Sequence, residues 1–105
     1  MKLKGNVRLK DLSPQMVMAA MIVNDIFQQR GLECVVTSAN DSGHSVASLH
    51  YSGKALDFRT RYEELNGLEM IVRDEIREAL GRDFDVVLEG VATPNEHLHV
   101  EYDPK

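Results

Sequence analysis

The sequence predicts an α+β fold, with helices packed on a small, largely antiparallel sheet. Two observations lead there. Two segments place apolar residues at helical spacing, and the short segments around them are β-branched or alternate between polar and apolar. A chain of 105 residues with no internal repeat and no linker-like tract is expected to form one domain, 1–105.

The first helix lies in "SPQMVMAAMIVNDIFQQRG". Ser13 is placed to cap it and Pro14 occupies the first helical position. Met16, Val17, Ala20, Val23 and Phe27 form the stripe, and Gly31 stops it. Its methionines are expected in the core. A strand follows in "LECVVTSA", leading to the turn-rich "NDSGHSVAS". "KALDFR" is the next strand. The second helix is expected from about Asn66 to Leu80: Asn66 caps, Glu69 follows three residues later, Leu68, Ile71, Val72, Ile76 and Leu80 make the stripe, and Gly81 ends it. The strands "DFDVVLEG" and "HLHVEYD", joined by "VATPNE", complete the chain.

Composition narrows the function. Twelve basic against seventeen acidic residues give a formal charge of −5, which argues against a nucleic acid partner, because phosphate neutralisation needs clustered Lys and Arg. The only basic concentration, "KLKGNVRLK", reads as a solvated edge. No segment approaches the roughly 18 apolar residues that would cross a bilayer, so no membrane role is expected. The N-terminus has no apolar stretch after its lysines, so synthesis in the cytoplasm without a signal peptide is expected. The single cysteine, Cys34, sits in an apolar run and reads as a buried structural thiol. A monomer is expected.

Polar residues gather on particular faces. Alternation in "KALDFR" sends Leu56 and Phe58 to the core, leaving Ala55, Asp57 and Arg59 on the other side. In "HLHVEY", Leu98, Val100 and Tyr102 go inward, and His97, His99 and Glu101 share a face. His50 precedes the first of these strands, and Gly53 lets the backbone turn sharply enough to bring it near Asp57. Two imidazoles and one carboxylate can then converge. Ligands of the types His, Asp and His suit zinc, and three protein ligands leave a fourth position for water, as in catalytic sites.

Ser48-x-His50-x-x-Gly53-x-Ala55-x-Asp57, followed by Glu96-x-x-His99, resembles the zinc D-alanyl-D-alanine peptidase family. That family includes bacterial carboxypeptidases and dipeptidases and phage L-alanyl-D-glutamate endolysins, and is similar in fold to the Hedgehog signalling domain. The resemblance runs from the first helix to "HVEYD". It implies zinc held by His50, Asp57 and His99, with Glu96 as general base toward the activated water. His97 matches a position that is histidine in some members and assists at the transition state. Glu96 precedes a ligand by three residues at a loop-to-strand junction, near the metal without coordinating it. His97, about 7 Å along the strand from His99, is in position to donate to an oxyanion. Ser48 is expected to steady the loop by hydrogen bonding on the substrate side, and Ala55 to leave room on the site face.

One departure bears on substrate. Family members carry an arginine within a pattern like Ser-Gly-Tyr-Arg, whereas this chain reads "TSAND", with Ser38 aligned and Asp41 where the arginine would fall. Arg59, on the face of Asp57, is the candidate replacement for holding a substrate carboxylate. It could equally pair with Asp57 or Glu101. The expected function is zinc-dependent hydrolysis of a peptide bond in peptidoglycan stem peptides, by a compact phage-type enzyme acting as an L-alanyl-D-glutamate endopeptidase or a D-alanyl-D-alanine carboxypeptidase. The rival is a noncatalytic, Hedgehog-like zinc domain that binds a protein.

Overall fold

A computed structural model of the protein describes residues 1–39 and 53–105. In chain order these form β1 (Lys2–Leu3), α1 (Pro14–Gln29), β2 (Val35–Ser38), β3 (Ala55–Arg59), a 3-10 turn (Glu63–Leu65), α2 (Glu69–Leu80), β4 (Phe84–Glu89) and β5 (His97–Tyr102). The two helices pack on a five-stranded mixed sheet of order β1-β2-β3-β5-β4. Every pairing is antiparallel except β1 with β2. The α+β expectation holds, and the basic N-terminal tip adds a short parallel edge strand that alternation does not reveal over two residues.

Helix α1 starts as its residues dictate. The Met16 amide donates to Ser13 Oγ at 3.2 Å, and Pro14, which lacks a donor, sits where none is needed. At the other end Gly31 takes φ of 71°, and the Leu32 amide returns to the Phe27 carbonyl at 3.0 Å. Met16, Ala19, Ala20, Val23 and Phe27 form the buried stripe. Val17 was expected on it but is exposed, as are Met18 and Met21. Successive residues are about 100° apart around a helix. Val17 therefore falls to one side of the narrow line through Met16, Ala20, Val23 and Phe27, and Met16 alone of the three α1 methionines it was grouped with is core.

Helix α2 corrects two expectations. It begins at Glu69, with Leu68 in the cap position and no side-chain cap; Asn66 instead ends the 3-10 turn. Buried Leu65 anchors that turn, and Gly67, at φ of 83°, separates it from the helix, so Asn66 falls before Gly67 and ahead of the cap position that Leu68 fills. Ile71, expected on the stripe, is exposed. Val72 and Ile76 are buried, while Leu68 and Leu80 pack at the margin.

One hydrophobic cluster joins these helical residues to Val36, Leu56, Phe58, Val86, Leu98 and Val100 of the sheet. Tyr102 sits on the same side, its ring 5.2 Å from that of Phe84. Cys34 is fully buried, as expected, and burial pushes its thiol up to about 12. None of the described helices is long and apolar enough to cross a membrane. The sheet face opposite the helices carries the polar residues.

Candidate metal centre and cleft

Strand register sets the site. Asp57 on β3 stands directly opposite His99 on β5, Arg59 opposite His97, and Ala55 opposite Glu101. On its other side β5 pairs with β4, which brings Glu89 opposite His97 and Asp85 opposite Glu101. With Leu56, Phe58, Leu98 and Val100 locked in the core, these polar side chains rise from rigid strands.

Asp57 is the hub. Its Oδ1 accepts a hydrogen bond from His99 Nδ1 at 2.8 Å, and its Oδ2 lies 3.8 Å from His97 Nε2. The His99 ring uses its other nitrogen on Glu101 Oε1, at 2.7 Å. The hydrogen bond to Asp57, then that to Glu101, raises the His99 pKa to about 9 against the opposing effect of burial. At neutral pH without a metal the ring is therefore a cation donating from both nitrogens. His97 donates through Nδ1 to the Asn95 carbonyl at 2.6 Å and through Nε2 to Glu89 Oε1 at 2.9 Å. Burial works to lower its pKa, but Asn95, Asp57 and Glu89 together raise it.

Glu96 sits in the loop before β5. Its Oε1 accepts from the hydroxyl of buried Thr60 at 2.9 Å, and its Oε2 from the Ala92 amide at 3.2 Å. Ala92 adopts φ of 63°, a left-handed conformation that aims this amide at the carboxylate. The Glu96 side chain is thereby held by two neutral donors.

An open cleft of about 540 Å³ runs along this face, lined by Asp57, Arg59, Glu96 and His97. Thr37 and the cations Lys4 and Arg61 also line it, and Arg61 donates to the Pro94 carbonyl at 3.0 Å. Arg59 forms no ion pair with Asp57 or Glu101 among the described residues. It acts instead on the Tyr62 hydroxyl, which donates to the Glu33 carbonyl at 2.6 Å. Of the residues singled out from sequence, Asp57, Arg59, Glu96, His97 and His99 are thus brought together. His50, Ser48 and Asp41 lie outside the described residues. Gly53 takes φ of 74°, a left-handed turn that suits glycine.

The donor set can be tested against zinc. Asp57 and His99 offer one carboxylate oxygen and one ring nitrogen on neighbouring strands, their side chains only 13% and 15% exposed. Oxygen and nitrogen donors held this close on rigid strands suit a divalent cation of zinc's size, and a second imidazole would complete the set. Asp57 also belongs to a second group: donor atoms of Asp57, Glu89 and His97 all lie within 4.8 Å of one another.

Sequence reasoning passed over Glu89, Thr60, Lys4 and Arg61. Register brings Glu89 and Lys4 in, and register is invisible in the residues themselves. Glu101 was placed on the right face, because it lies two residues from His99, but without its partner. No family model, curated protein or solved structure matches this chain.

Proposed function

We propose that the protein is a zinc metallopeptidase that hydrolyses a peptide bond in peptidoglycan stem peptides. The observation that supports it most is the in-register pairing of Asp57 with His99 beside a cleft lined by Glu96, His97 and Arg59. His50, Asp57 and His99 would hold zinc, which when bound supplies a Lewis acid that polarises a carbonyl and acidifies water.

The chain's own residues account for the remaining work. Glu96, positioned by Thr60 and Ala92, takes the proton of the attacking water and passes it to the leaving amine. His97, a cation more readily than an isolated histidine, donates to the oxygen on which charge develops. Arg59 faces the same cleft and is suited to a substrate carboxylate through paired N–H donors. The L-alanyl-D-glutamate bond is the preferred target, since Asp41 stands where the family it resembles carries its arginine.

Purified zinc-loaded protein incubated with soluble muropeptides, its products identified by mass, tests this directly. Cleavage between the first and second stem residues is the expected result, and loss of one D-alanine would make it a carboxypeptidase. Zinc-loaded protein that leaves every muropeptide and D-Ala-D-Ala peptide intact would favour the noncatalytic protein-binding reading.

A further inference from the structure

We propose that Glu101 is a positioning residue for the metal centre: its carboxylate holds the Nε2 proton of His99 and so presents Nδ1, the nitrogen facing Asp57, to the cation. The inference rests on the zinc reading above and adds a residue to it. The geometry is specific. His99 stands between two carboxylates, with Asp57 Oδ1 at 2.8 Å from Nδ1 and Glu101 Oε1 at 2.7 Å from Nε2.

Of these two nitrogens it is Nδ1 that faces Asp57, so a cation bound by Asp57 would meet His99 there. A cation held there would take the place of the Nδ1 proton, which would pass to solvent, and the Nε2 proton would keep Glu101 as its acceptor. A neutral imidazole carries its single proton on one nitrogen or the other, so an acceptor at Nε2 fixes the tautomer whose free lone pair is on Nδ1. An acceptor on the outer nitrogen also fixes ring rotation and makes the coordinating nitrogen more basic.

Glu101 is available for this because its acidic neighbours are served by another group. Lys105 Nζ lies 3.0 Å from Asp85 Oδ1 and 3.4 Å from Asp103 Oδ2. The Glu101 side chain turns toward His99, is only 23% exposed, and rises from β5, whose register is clamped by β3 and β4 on both sides. The opposing residue on β3 is Ala55, too small to compete for the carboxylate.

The test compares wild type with Glu101→Ala, Glu101→Gln and His99→Ala, using zinc itself as the probe. Zinc affinity is read by competition with a chelator, and ring ¹H–¹⁵N spectra are recorded with and without zinc. Glu101→Ala should weaken zinc binding by about 10- to 100-fold, and Glu101→Gln, whose side-chain carbonyl still accepts, by no more than about threefold. The His99 Nε2 proton should exchange slowly in wild type and Glu101→Gln, before and after zinc, and rapidly in Glu101→Ala. Should the alanine variant not fold, Glu101→Val, with its stronger strand preference, carries the same expectation. If His99→Ala loses zinc while Glu101→Ala binds it as tightly as wild type, or if zinc sits on Nε2, the positioning role is overturned and the zinc reading stands. If His99→Ala binds zinc like wild type, the zinc reading itself is overturned and the role of Glu101 falls with it.

Discussion

Asp57 and Glu96 are both carboxylates on one cleft, and on the zinc peptidase proposal their partners separate their tasks. Asp57 faces two imidazoles, groups that give up a proton to a metal, whereas Glu96 accepts from a hydroxyl and a backbone amide, which hold it without neutralising it. Glu96→Ala should therefore keep zinc and the fold while losing most hydrolysis, and Asp57→Ala should lose both zinc and hydrolysis. Metal content and turnover measured on the same preparations decide it, and equal zinc loss in both would make Glu96 a ligand. Gly53 is a second residue with a single tolerable identity. A β-carbon there would stand 2.1 Å from the Asp11 carbonyl oxygen at a backbone φ of 74°. The Gly53 carbonyl also accepts from the amide of Ser13, the cap of α1, at 2.9 Å, so the motif turn and the helix start are joined. Gly53→Ala should cost at least about 2 kcal/mol in denaturant unfolding, from left-handed strain plus the backbone clash.

At the scale of elements, what was legible depended on whether a signal is local. Ser13, Pro14 and Gly31 bracket α1 because caps and stops act through neighbouring backbone. Asn66 and Glu69 have the spacing of a capping pair, yet burial of Leu65 and the left-handed Gly67 move the helix start onward. Alternation assigned the faces of β3 and β5 correctly, so Asp57, Arg59, His97, His99 and Glu101 could be grouped before any pairing was known. Which residue stands across from which is a property of two strands, and so the contacts of Glu89 and Glu101 with the histidines were not readable. The two apolar edges of α2 provide a check on burial. Ile76→Ala should cost about 2–5 kcal/mol, because it leaves a cavity among packed neighbours, and Ile71→Ala no more than about 0.5 kcal/mol, because its side chain is already in water. Similar losses at both positions in thermal or denaturant unfolding would mean that α2 is rotated from the orientation described.

For the molecule as a whole, the buried thiol of Cys34 gives folding a dependence on alkaline pH. Its pKa moves from 9.0 to about 12 on folding, so the folded state disfavours the thiolate. The stability from keeping it neutral is complete below pH 9.0 and is lost as pH climbs from there through about 12. The unfolded chain releases a proton that the native one retains, a slope approaching 1.4 kcal/mol per pH unit. Cys34→Ala should flatten the alkaline limb of a stability profile, and a thiol reagent should label the wild type only as it unfolds. An unchanged limb would show that other groups govern it.

The strand order has a consequence for how the protein comes into being. β5, last of the described strands along the chain, lies between β3 and β4. β4 and β5 are neighbours along the chain and pair as a hairpin, so the pairing that closes the sheet is that of β5 with β3. Asp57 rises from β3, while His97, His99 and Glu101 all belong to the hairpin that must dock on it. A chain in which β3 has not met β5 thus carries Asp57 without His97 or His99 beside it, and closing the sheet and assembling the cleft are one event. Because that event joins Asp57 to His99, 42 residues on in the chain, it belongs to the slow steps of folding, and the cleft has no partial form that precedes the finished sheet.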